Sequence, residues 1–137
     1  MSAKRFEVVD HTADWALRVY GRNLEQLLRH AAQGMNSLMV ANLETVTVTE
    51  TRHIALEVYD PETLLVDWLT ELAYWAEMER LVFTAFEMTA VSPTHLSAIV
   101  RGGTAVKLEK HIKAVTYHNL EIIQTKEGLE ATIVFDV

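Results

Sequence analysis

The sequence predicts an α+β fold: mostly antiparallel sheet, with two long amphipathic helices packed on one side, in a single compact domain. Three observations predict it. Two stretches carry apolar residues at helical spacing. Several shorter stretches alternate polar and apolar residues, as expected of antiparallel strands with one solvated face. The strand-like stretches do not alternate regularly with the helical ones, as a doubly wound parallel sheet would require.

Taken in order, strands are predicted over Arg5–Val9 and Trp15–Tyr20, flanking the polar segment Asp10-His11-Thr12-Ala13-Asp14. From Asn23 to about Val40, Leu24, Leu27, Leu28, Ala31, Ala32, Met35, Leu38 and Met39 form one helical stripe. Asn23 suits its N-cap, and Glu25 suits the first turn beside the positive end of the helix dipole. The alternation of Thr45-Val46-Thr47-Val48 and of Arg52–Val58 predicts a hairpin of Val46–Thr49 and Arg52–Tyr59 around Glu50-Thr51. Asp60-Pro61-Glu62 opens the second helix, since aspartate caps and proline tolerates the first helical position. Its stripe of Leu64, Leu65, Trp68, Leu69, Leu72 and Trp75 continues to about Arg80, with Asp67, Glu71, Glu77 and Glu79 on the solvated side. Strands follow over Val82–Val91 and His95–Val100, separated by Ser92-Pro93, then over Lys113–His118 and Leu120–Gln124. Lys126-Glu127-Gly128 supplies a turn with glycine where a positive φ is needed, before a final strand at Leu129–Phe135.

The bulk composition narrows the function classes. A chain of 137 residues, half of them hydrophobic, reads as one folded domain over 1–137 that buries roughly 68–70% of its unfolded surface. Its net charge of −7 argues against direct nucleic-acid binding, which needs a basic face to displace counterions from phosphate. A protein partner that itself carries the basic surface stays compatible with that charge. With no cysteine, disulfides and thiolate metal sites are excluded. No apolar run approaches the roughly 18–20 residues of a membrane span. The segment Met1-Ser2-Ala3-Lys4-Arg5-Phe6 lacks the apolar stretch of a signal peptide, so a soluble, cytoplasmic protein is expected.

Chemistry-bearing residues concentrate toward the two ends. A strand-like run leads into Phe135-Asp136-Val137, putting the Asp136 side chain and a terminal α-carboxylate one residue apart. With a third carboxylate from Asp10-His11-Thr12-Ala13-Asp14, these become an oxygen-donor site for a hard cation. The same residues also read as ordinary turn chemistry and a solvated terminus. Lys113, Val115 and Tyr117 fall on one strand face by the period of two, where Lys113 reads either as a functional cation or as an edge lysine that discourages aggregation. His11, His111 and His118 show no metal-ligand spacing, and the nucleophile elbow, phosphate-binding glycine loop and H-E-x-x-H motif are all absent.

Five segments in order resemble the archease family. They are Asp10–Asp14; Arg18-Val19-Tyr20-Gly21 with the helix Leu24 to Met35; Leu64-Leu65-Val66-Asp67-Trp68-Leu69-Thr70-Glu71-Leu72; Lys113–His118; and Phe135-Asp136-Val137. The resemblance implies an activator of the RtcB-type RNA ligase of tRNA splicing and RNA repair, not itself an enzyme. It implies a divalent-metal site at Asp14, Asp136 and Val137, described in the family as calcium, with magnesium or manganese as alternatives. It implies a functional role for Lys113, either moderating the acidic cluster or contacting the ligase or its nucleotide. Asp14 and Asp136 would also serve the partner contact. Two departures stand out. Trp15 occupies a position where the family has a smaller aliphatic residue, and the stretch from Gly103 to Lys113 is short, which leaves His111 outside the site. Rival readings are a small metal-dependent phosphoesterase acting through Asp14 and Asp136, and a general chaperone-like acidic binding module.

Overall fold

The structure, a computed structural model describing residues 4–10 and 15–137, pairs the two ends of the chain through one sheet. Its elements are β1 (Phe6–Asp10), β2 (Trp15–Gly21), α1 (Leu24–Met39), β3 (Glu50–Glu57), α2 (Pro61–Glu79), β4 (Leu81–Ser92), β5 (His95–Thr104), β6 (Ala114–Val115), β7 (Ile123–Thr125) and β8 (Gly128–Asp136). The first sheet has the order β1-β2-β8-β6, with β7 also paired to β8. The second has the order β3-β5-β4. Every pairing is antiparallel.

Both helices begin where their capping residues dictate. Asn23 Oδ1 accepts from the Gln26 N–H at 2.9 Å, and the Gln26 side chain accepts from the Arg22 N–H at 3.0 Å. Asp60 Oδ1 accepts from the Thr63 N–H at 2.7 Å, which holds its carboxyl below the usual aspartate range. α1 packs chiefly on β2 of the first sheet, while α2 packs on the second sheet and reaches β6. The covered side of the first sheet carries Leu17, Val19, Ile133 and Phe135, all fully buried. Its opposite face carries the half-exposed Arg18, Tyr20, Glu130 and Thr132. Buried residues of both helices and both sheets form one continuous core. Two polar contacts inside it lock the layers together. Trp68 Nε1 donates to the Leu28 carbonyl at 2.8 Å, and buried Asn36 donates to the Phe83 carbonyl at 2.7 Å. The latter carbonyl sits at a register shift between Phe83 and Ala85 in β4, where the bulge turns it toward α1.

Two expectations need correction. Val46–Thr49 and Arg52–Tyr59 do not form a hairpin: Glu50 and Thr51 are the first residues of β3, whose partner is β5. Residues 43–45 instead make a 3-10 turn capped by Asn42, and the chain then runs against the end of β5, where Thr49 N donates to Gly102 O at 2.8 Å. A Cβ on Gly103 would overlap the Thr47 carbonyl oxygen, so this close passage depends on glycine. The second correction concerns Lys113–His118 and Leu120–Gln124, which shrink to β6 and to β7. A turn in which Leu120 N donates to Tyr117 O, with Asn119 at φ 51°, separates them. The predicted turn at Gly128 holds, with φ at 139°.

On the open face of the first sheet, Glu7 accepts from Tyr20 Oη at 2.8 Å, Arg18 at 2.9 Å and Lys4 at 3.1 Å. The tyrosine hydrogen bond and then the Lys4 ammonium draw the Glu7 carboxyl down from 4.5 to about 2. A depressed folded pKa contributes stability that is present above the unfolded value and lost as pH falls through the folded one. Acid titration of the melting temperature should therefore show a loss between pH 4.5 and about 2 that Glu7→Gln removes. Identical profiles for the two proteins would contradict this.

Candidate functional site

Register brings the candidate residues to one end of the first sheet. Asp10, last in β1, pairs with Trp15, first in β2; Trp15 pairs with Phe135 of β8, and Asp136 pairs with Ala114 of β6. The segment joining β1 to β2 thus leaves and re-enters the sheet at the end where β8 finishes. Asp14 and His11 lie outside the described residues, so the structure describes Asp136, Val137 and Lys113 of the predicted set.

Each of these three is held by its backbone or its packing. Asp136 closes β8 with its side chain exposed, and its carbonyl accepts from the Lys113 N–H at 2.7 Å. Val137 is half-buried and packs against the core through its side chain. Lys113 is exposed beside this end. It does not share a face with Val115 and Tyr117 as period-two alternation predicts. Val115 is buried, Lys113 and Tyr117 are exposed, and only Ala114 and Val115 hold strand geometry.

A further cation arrives that patterning did not single out. Lys110 Nζ stands 4.0 Å over the Trp15 ring, a cation–π contact that positions a second ammonium at the start of β2. The spacing Lys107-x-x-Lys110-x-x-Lys113 is the signal in the sequence that marks it. His111, on the same stretch, meets Glu77 Oε2 at 2.8 Å and belongs to the α2 surface. Glu79 is likewise engaged, accepting both Arg52 guanidinium nitrogens at 2.8 Å, which lowers its carboxyl below the ordinary range.

The donor chemistry at this end fits a hard divalent cation. Asp136 and the residue after it offer oxygen donors alone, the preference of calcium, magnesium and manganese. Among the described residues, no three His, Cys, Asp or Glu side chains cluster as a complete metal site. Nor is any helix of the described residues long and apolar enough to cross a membrane.

Comparison with known proteins places the chain in a family. Residues 6–137 match the Archease protein family (MTH1598/TM1083). The protein archease of Methanosarcina barkeri is 34% identical over 142 residues, covering 98% of this chain and 97% of that protein. That of Pyrococcus abyssi is 33% identical over 133 residues, covering 91% and 92%. Among solved structures, protein 1598 of Methanobacterium thermoautotrophicum superposes with a TM-score of 0.75 at 30% identity, covering 96% of this chain and 98% of that one. The fold is also that of a Thermotoga maritima archease described as a possible chaperone, with a TM-score of 0.64 at 22% identity and full coverage of both chains.

Proposed function

The chain belongs to the archease family, and from that premise we propose that it is a protein activator of an RtcB-type RNA ligase in tRNA splicing and RNA repair, not itself a catalyst. The observation that carries the reading is the register of the first sheet, which brings the start of β2, the Asp136 end of β8 and, through its N–H, Lys113 to one end of that sheet. Asp14, Asp136 and the Val137 carboxylate are the proposed ligands of a divalent cation, calcium first, with magnesium or manganese able to substitute. Few protein ligands favour a weakly held, exchangeable ion over a permanent structural one.

Ligase guanylylation is phosphoryl transfer, which depends on positioning and on neutralising charge around the transferred group. When bound, the cation would supply that neutralisation. The chain's own residues present an exposed carboxylate at the end of β8, with Lys113 bonded to the Asp136 carbonyl through its backbone N–H and Lys110 held over Trp15 at the start of the neighbouring β2. A net charge of −7 suits docking on a ligase surface that binds RNA and is therefore basic. Single-turnover guanylylation of the cognate ligase, with and without this protein, tests the proposal. A marked acceleration is expected; an unchanged rate would sink it. Phosphoester turnover by the isolated protein, blocked by a chelator, would favour the hydrolase reading instead.

Lys113→Ala separates function from fold at this end. The backbone N–H that holds Asp136 survives the substitution, and the lost side chain is exposed. Stability should stay within about 0.5 kcal/mol of the parent. Stimulation of the ligase should fall at least about tenfold, equivalent to about 1.4 kcal/mol. A large drop in melting temperature with activation retained would assign Lys113 a structural role.

A further inference from the structure

β6 is the outer strand of the first sheet, and α2 runs beside it. Between them lies a groove of ≈ 340 Å³ lined by Ala73, Tyr74, Met78, Ile112, Lys113 and Val115. Tyr74 is 57% exposed and Met78 64%, on a helix whose other side is buried. Neither residue contributes to the core, so their apolar surface needs another explanation.

The backbone beside the groove is equally informative. Thr116 N donates to Val134 O at 3.0 Å, which makes these two a hydrogen-bonded pair. Alternation along an antiparallel ladder then makes Val115 and Phe135 a pair without hydrogen bonds. The N–H and C=O of Val115 consequently point away from β8, toward the open side of the strand. An edge strand beside a helix, with an apolar cleft between them, is the geometry that accepts an added strand: main-chain bonds supply affinity and side-chain pockets supply selectivity. An incoming helix would leave the Val115 groups unpaired, because its own backbone is internally satisfied.

We propose that this groove takes an extended segment of the RNA ligase, added as a further strand on β6, with an apolar side chain seated among Tyr74, Met78 and Ile112. This rests on the activator reading given above. Charge selects the rest of the segment. Glu77, which also meets His111, is the carboxylate that lines the groove, in a chain of net charge −7, so lysine or arginine should flank the apolar anchor. The groove ends at Lys113, whose N–H holds Asp136. A strand seated there would run on toward the carboxylate end, so one docking event would align both surfaces.

Hydrogen exchange and binding to the cognate ligase test the proposal together. Adding ligase should slow exchange of the Val115 amide at least tenfold. Met78→Lys, at an exposed position, should weaken ligase binding at least tenfold with melting temperature and calcium affinity unchanged, and Tyr74→Ala should do the same. If the parent activates the ligase while the Val115 amide is unaffected and both variants bind normally, the groove proposal falls and the activator reading stands. A parent that neither binds nor activates the ligase overturns both. Self-association abolished by Met78→Lys, with ligase affinity unchanged, would give the groove to a second copy of this chain and likewise overturn the proposal.

Discussion

Asp136→Asn is expected to abolish stimulation of ligase guanylylation while leaving the fold untouched. The substitution is nearly isosteric at an exposed side chain, and the Asp136 carbonyl still accepts from Lys113 N. Melting temperature should therefore move little, within about 0.5 kcal/mol of stability. What changes is one formal charge and, in the proposed cation site, one ligand oxygen among few protein donors. Even groups that only support a metal's ligands cost about 10–100-fold in affinity or activity when removed, so a direct ligand should cost at least about 100-fold. Asp14→Ala should match it. Normal activation by either variant would show that the carboxylate end is not the working surface.

Trp68→Ala should produce the largest loss of stability in the chain. Trp68 is fully buried, meets Phe86 edge-on with ring centroids 5.8 Å apart, and donates to the Leu28 carbonyl of α1. It thus ties α2 to both α1 and the second sheet. Removing a buried aromatic of this size costs about 3–5 kcal/mol, against a typical total of about 5–15 kcal/mol. A fall in melting temperature of about 10 °C or more is expected. Trp68→Phe keeps most of the packing and loses only the hydrogen bond, so its cost should be nearer 1–2 kcal/mol. Equal destabilisation by the two would mean that the indole N–H, not its bulk, carries the contact.

What could be read from the sequence was what local chemistry encodes. Asn23 and the Asp60-Pro61 pair mark helix starts with groups that act within four residues, and both helices begin there. Gly128 marks its turn for the same reason. The failed hairpin shows the other case. Val46–Thr49 alternates like a strand, yet the surface it meets is the Gly102-Gly103 end of β5, far along the chain, and no local pattern points to that approach. Lys113 fails similarly: the period of two holds only while pairing continues, and β6 lasts two residues.

The site divides along the same line. Asp136, Val137 and Lys113 were visible as candidate residues and the resemblance assigned them roles, while the strand register pairs Phe135, just before the last two residues, with Trp15 at the entry to β2. The role of Trp15 as a platform for Lys110 needed three dimensions, because neither residue is near the other in sequence. The groove residues Tyr74 and Met78 lie outside the apolar stripe read for α2, and what makes them a surface is the neighbouring edge of β6.

Calorimetric titration of calcium into the native protein, and into a version carrying two glycines after Val137, addresses the shared-cation idea most directly. One ion per chain should bind the native protein, at least tenfold more weakly when the extension turns the Val137 carboxylate into an amide, and weaker again with Asp136→Asn. Identical isotherms for all three proteins would mean that the two ends of the chain hold no common ion.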